Sequence, residues 1–423
     1  MIEAVSRGLA HEPVGLKLSF RWLLVLLMAF SVSLPMAWIS LSKLLLFVGC
    51  LVALVAAPKY FHLHVQRLQS MAFIAPTLAV LAFFSISLLW TSAPLDVALA
   101  SLVKHSRLIV IALLILMLKN EEESRWALLA FSFGLALQLM ASWLSAIGMP
   151  PPWIAIGKPP GEVFTSYLDQ SIIFSTCAAV WWHLAPTKRL HLWAASSIVL
   201  ASLANVLLLL DGRTGYLIAM ALISLAVGWN IPSRFRWKSF TLIPLLVLSL
   251  LMATSSNFLA RLTLVGTEIQ AYSLQNDPST STGWRLNAWR LSAQAIEEAP
   301  ILGHGVGSFT ATVKRLQGAN AEAVFGPGKL SNPHQEFLLW GIEIGVVGMV
   351  LLLAILIRLW SDFNQMPQPV RRAGISVLAA LFIACSFNST LYDGLIGDFF
   401  VTLLGLLLAY GSFAKQDSPA GTP

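Results

Sequence analysis

Charge is scarce in this sequence. Only 11% of its 423 residues are Asp, Glu, Lys or Arg, against 57% hydrophobic residues and a mean hydropathy of +0.76. A soluble domain carries about a quarter charged residues, so a soluble globular fold is excluded. Cysteine is nearly absent as well: Cys50, Cys177 and Cys385 lie far apart inside apolar stretches. That excludes a disulfide framework or a cysteine metal knuckle and reads as three small buried hydrophobes. There is no Asp-x-Asp pair, which argues against a metal-dependent nucleotide-sugar transferase. A phosphate loop and a His-Glu-x-x-His zinc motif are missing too. His62 and His64 have no third ligand beside them, and "NEEES" at Asn120–Ser124 reads as a solvated loop.

What the chain has is one apolar run after another. With roughly 20 apolar residues needed per crossing, hydropathy predicts about twelve spans, near 20–39, 41–57, 69–91, 98–119, 124–148, 168–185, 192–210, 215–229, 240–256, 335–360, 372–389 and 394–413. The expected fold is an all-α polytopic membrane protein. No small-residue cleavage site follows the first run, which therefore reads as a retained span rather than a signal peptide. Lys and Arg concentrate in alternate short loops, which by the positive-inside rule puts both termini in the cytoplasm. The net charge of +7 is then membrane anchoring, with no nucleic-acid partner implied.

One connection is long. Residues 257–334 separate a bundle of about nine spans (1–256) from one of about three (335–413), and a short polar tail (414–423) reads as disordered. Loops of this length are uncommon unless functional. This one has helical periodicity of its own: Trp284, Ala288, Leu291 and Ala295 recur on one face after Ser281 and Thr282 as caps. A helical loop domain on the outer face is expected, its helix ended by Pro300 and the glycines of "GHGVGS".

Candidate chemistry gathers on that side. Arg213 sits in "LLDGRTGYL" between two spans. Two readings fit it: a pair with Asp211 or snorkelling to the interface, and an anion clamp, since a guanidinium matches phosphate oxygens. Arg285 and Arg290 are five apart, so they point about 140° apart on a helix; Arg285, near the positive helix start, is the better placed for an anion. His334 stands in "SNPHQEFLLWG". Asn332 as cap and Pro333 at the first position would put it at the positive helix end, which lowers its pKa and leaves a neutral base. A histidine that only satisfies a helix terminus is the other reading. Glu343 is a charge inside a span that needs a partner.

Taken in order, "GRTG", "STGWRLNAW" with "PILGHGVGSF", and "NPHQEFLLWGIEIGVVG" resemble the O-antigen ligase family of bacterial envelope enzymes. The resemblance implies a class C-type glycosyltransferase of the bacterial inner membrane that works on the periplasmic face without metal or other cofactor. It further implies a glycan donor on undecaprenyl pyrophosphate, a lipid A–core oligosaccharide acceptor, and inversion at the anomeric carbon. On the matching positions Arg213 and Arg285 hold the pyrophosphate and His334 is the base. Asp393, Arg290 and Asp211 are supporting positions. An O-antigen polymerase with the same chemistry is the alternative within the family. A transporter of lipid-linked solutes is the alternative outside it, against which stand the absence of related halves and the long outer loop.

Overall fold

Proline and glycine decide where the apolar runs break. The computed structural model describes residues 16–154, 158–185, 189–254, 256–275, 280–318 and 331–416. Helix α1 (Leu16–Ser31) ends in a turn before Pro35, and α2 (Met36–Ala56) starts directly after it. The first boundary therefore lies at Pro35, earlier than hydropathy alone placed it. Next come α3 (Pro58–Gln69) and α4 (Ile74–Ile86), whose axes are bent by 92° between Phe61–Gln69 and Ile74–Leu89. Then α5 (Leu95–His105) and α6 (Ile109–Met117) run on as one 23-residue helix. Asn120 caps α7 (Glu121–Ala146), its side chain accepting from the Glu123 amide at 2.8 Å. "NEEES" is thus a capped helix start with its acids at the positive end, not a free loop. Glu123 also pairs with the buried Arg21 at 2.9 Å.

The middle of the chain continues with α8 (Tyr167–His183), α9 (Arg189–Ala204), α10 (Arg213–Gly228) and α11 (Arg236–Thr254). The long connection holds α12 (Ser256–Gln275), α13 (Ser281–Glu298) and α14 (Phe309–Gln317). The chain closes with α15 (Glu336–Asn364), α16 (Gln368–Phe387) and α17 (Gly394–Gln416). Among the described residues the structure is helical with no strand. Seven helices are long and apolar enough to cross a membrane, eight if the bent pair is one span; Phe20–Ser31 and α10 are shorter apolar helices. Length and composition thus support a multi-pass membrane protein.

Helix α17 is the pillar of the bundle. It packs against α1, α2, α6, α7, α8, α15 and α16, and Phe399, Phe400, Leu403 and Leu407 on it are fully buried. The three cysteines are buried and free. In the connection, α13 lies against α12, α14 and α15, with Ala288, Leu291 and Ala295 buried. Its cap is Thr280, whose hydroxyl accepts from Gly283 N at 3.0 Å, one residue ahead of the caps the sequence suggested.

The glycine-rich turn after α13 enters a break in α15. Ile344 and Gly345 leave helical geometry, with φ 69° at Gly345. The carbonyls of Ile342 and Glu343 accept from His304 N and Gly305 N, both at 2.8 Å, and Val346 N donates to Pro300 O at 2.8 Å. Glu343 finds its partners here: His105 Nε2 at 2.6 Å, the Ser101 hydroxyl at 3.1 Å and Gly307 N at 2.9 Å. "GHGVGS" is therefore a backbone splice into the break in α15. A Cβ on Gly345 would collide with the Ile301 backbone, on top of a backbone angle that costs other residues about 1–3 kcal/mol. Gly345→Ala should lower the thermal midpoint by several degrees in detergent. Gly266→Ala, on α12 with open space around it, should be neutral or slightly stabilising.

Candidate active site

Three segments far apart in sequence meet at one end of the bundle. The first is the start of α10. A π-helical turn at Asn205–Leu209 ends in extended backbone at Leu210, and the Tyr216 hydroxyl donates to the Leu210 carbonyl at 2.7 Å. Gly212 and Gly215 lie so close to Ser171 that a Cβ on either would strike it. The turn is thereby pressed onto α8, and Arg213 opens α10 with its side chain exposed. The second segment is the first turn of α13, where the Thr280 cap sets Trp284 and Arg285 half-buried.

The third segment is Ser331–Gln335, which folds into a tie rather than a helix start. Helix α15 begins at Glu336, and its cap is Gln335, whose side chain accepts from Leu338 N at 2.5 Å. Asn332 does a different job from the capping expected of it. Its Oδ1 accepts from His334 N at 2.9 Å, an Asx turn, and its Nδ2 donates to Asp393 Oδ1 at 3.0 Å. The indole of Trp289 donates to the Pro333 carbonyl at 3.0 Å. Held at both ends, His334 adopts φ 51°, the one non-glycine residue with positive φ among those described. Such a conformation costs an L-residue about 1–2 kcal/mol and persists only where the surroundings impose it. The imidazole lies against the Trp284 ring, 5.1 Å between centroids.

Behind the tie, the turn before α17 is fixed by Glu336. Its buried carboxylate accepts from Leu391 N at 2.8 Å, Tyr392 N at 3.3 Å and the Trp340 indole at 2.8 Å. Arg107 donates to the carbonyls of Asp393 and, at 3.0 Å, Gly394.

The electrostatics follow from burial and from these neighbours. Burial, and then the positive charge of Arg285, push the His334 imidazole down to about 4. It is neutral at pH 7, as the helix-dipole reading required, but desolvation and a cation are the causes. Arg285 is itself lowered by burial and by the like charge of Arg213, with Tyr167 and Glu268 acting the other way. A guanidinium nevertheless stays charged at any working pH. Asp393 is raised to about 7 by burial and by Asp169, against the pull of Arg107, Lys104 and the Asn332 amide.

The site therefore brings together His334, Arg285, Arg213 and Asp393. It does not include Arg290, which is exposed and bonded to Asn287 at 3.1 Å and Gln294 at 3.3 Å on its own helix. Asp211 is half-buried in the turn before Arg213. Sequence reasoning passed over Trp284 as a ring partner, Asn332 as a clamp and Glu336 as the brace of the 391–393 turn. Only a buried acid beginning an apolar span could have signalled the last. Two positive groups and a neutral imidazole brought together in this way can receive a polyanion and accept a proton from a hydroxyl beside it.

Comparison with known proteins bears on the same segment. No curated protein matches the chain. Among solved structures it is similar to a chain in a peptidoglycan synthase complex that coordinates polymerization and crosslinking, with 16% identity and a TM-score of 0.46 over 82% of this chain and 98% of that one. Residues 198–353, which contain Arg213, Arg285 and His334, match the family model described as O-Antigen ligase. Within those residues the chain carries a segment similar to the O-antigen ligase domain.

Proposed function

We propose that this protein is an O-antigen ligase: it transfers a glycan from undecaprenyl pyrophosphate to lipid A–core oligosaccharide at the periplasmic face of the inner membrane. The observation that carries this reading is the strained, neutral His334 held beside Arg285, itself close to Arg213. In the reaction a ring nitrogen of His334 takes the proton of the attacking sugar hydroxyl. The hydroxyl oxygen bonds to the anomeric carbon from the side opposite the leaving group, so the configuration inverts. The bond from that carbon to the pyrophosphate oxygen breaks, and its electron pair leaves with undecaprenyl pyrophosphate. Arg213 and Arg285 stabilise the charge that grows there, the electrostatic role of an oxyanion hole.

The free imidazole is a weak base for this task, since a general base works best with a pKa near the operating pH. The donor's pyrophosphate supplies the correction, because an anion between the arginines and His334 favours the imidazolium. The pH dependence should show this. In kcat/KM, which reports the free enzyme, activity should fall as pH drops through about 4. In kcat the same limb should lie higher. A further limb near 7 is expected from Asp393 and should vanish in Asp393→Asn; its survival would clear Asp393 of that role.

The deciding experiment is transfer by the purified protein from lipid-pyrophosphate donor to lipid A–core. Capping of the core with long glycan supports the ligase. Elongation of the lipid-linked glycan, with the core untouched, points to the polymerase. No covalent product alongside movement of the donor across vesicles would favour transport.

A further inference from the structure

Next to the 391–393 turn is a cavity of about 280 Å³. Its walls include Asp96, Lys104, Phe309, Ser331, Glu343 and Tyr392. Asp96 and Lys104 lie eight apart on α5, hence on one helix face. Lys104 rests its ammonium on the Tyr392 ring, 4.1 Å from the centroid, and among the described residues it makes no hydrogen bond or ion pair. Glu343 is committed elsewhere: its oxygens already take His105, Ser101 and Gly307 N, so it is framework. That leaves the Lys104 ammonium, the exposed Asp96, Ser331, Thr310 and two aromatic residues around a space of about one sugar ring. A lipid chain would waste those polar groups, and the opposite charges of Asp96 and Lys104 balance, which disfavours a polyanion. An acid and an ammonium for hydroxyls, within largely apolar and aromatic walls, suit an uncharged saccharide.

The cavity is also connected to the base. Ser331 is three residues from His334, a span of at most about 11 Å, and Tyr392 adjoins Asp393, which Asn332 clamps. Arg285 reaches His334 by another route, from α13.

We propose that this cavity seats the acceptor sugar whose hydroxyl His334 deprotonates, with Lys104 and Asp96 determining which saccharide is accepted; the assignment rests on the transfer reading above. It predicts a split in the Michaelis constants. With the purified full chain, lipid-linked donor and lipid A–core as the probe acceptor, Lys104→Gln and Asp96→Asn should each raise the KM for acceptor about tenfold, the loss of one good polar contact. The KM for donor should not move, and Lys104→Arg should recover part of the acceptor affinity. An unchanged acceptor KM in both variants overturns the proposal, as does an equal rise in both constants. Wild-type protein that transfers no glycan would instead overturn the transfer reading, and the acceptor site with it.

Discussion

His334→Ala should insert and fold as the wild type does and lose transfer by about 10²–10⁴-fold, the usual worth of a positioned general base. The backbone contacts of the tie survive this change, because Asn332 binds the His334 amide and not its ring. What is lost is the imidazole, its contact with Trp284 and its reach to the acceptor. A second variant separates chemistry from stability. His334→Gly removes the cost of a positive φ, about 1–2 kcal/mol, so it should unfold at a higher temperature than His334→Ala while being equally inactive. Added imidazole should restore part of the rate in both. Transfer at full rate in either variant sinks the base assignment.

Arg285→Ala should cost about 10²–10³-fold in kcat, the scale for removing one preorganised donor from a developing oxyanion. The physical reason lies in the two like charges that the fold brings together. A guanidinium half-buried beside another of like charge is unfavourable until an anion arrives, so on the proposed function donor binding would release electrostatic energy stored there. The free protein should therefore lose no stability in Arg285→Ala. Its His334 should titrate closer to 6.5, because Arg285 is one of the two causes holding it down. Arg285→Lys should recover little, since an ammonium lacks the planar fork that meets two phosphate oxygens. Arg213→Ala should behave similarly but less severely, as its exposed charge is better screened. Unchanged turnover in either alanine variant removes that arginine from the pyrophosphate site.

The helices were legible because bilayer length and backbone satisfaction leave few options for an apolar run. The separation of Arg285 from Arg290 was legible for a comparable reason: a helix turns by a fixed angle per residue. The start of α15 was misplaced. Asn332 and Pro333 have the chemistry of a cap and a first residue, but two long-range bonds, to Asp393 and from Trp289, draw them out of the helix. Local propensity lost there to tertiary contacts. Partnerships such as Glu343 with His105, or Asn332 with Asp393, join residues 238 and 61 positions apart. No periodicity relates such pairs, so one sequence alone does not reveal them. His334 was the instructive case: its neutrality was foreseen, and the cause turned out to be a cation and a dry pocket.

The exchange of backbone partners between 300–305 and 342–346 sets an order of assembly. Inside an apolar layer an unmet amide or carbonyl costs several kcal/mol, so neither the break in α15 nor the turn that fills it is tolerable alone. The site can mature only after α15 has emerged from synthesis and received the turn that precedes it. Until then α13 and its arginine have no fixed seat, and an immature chain holds no competent donor clamp. The same coupling sets where the chain can vary in length. A residue inserted between 300 and 305 would put the turn out of register with its partners at 342–346.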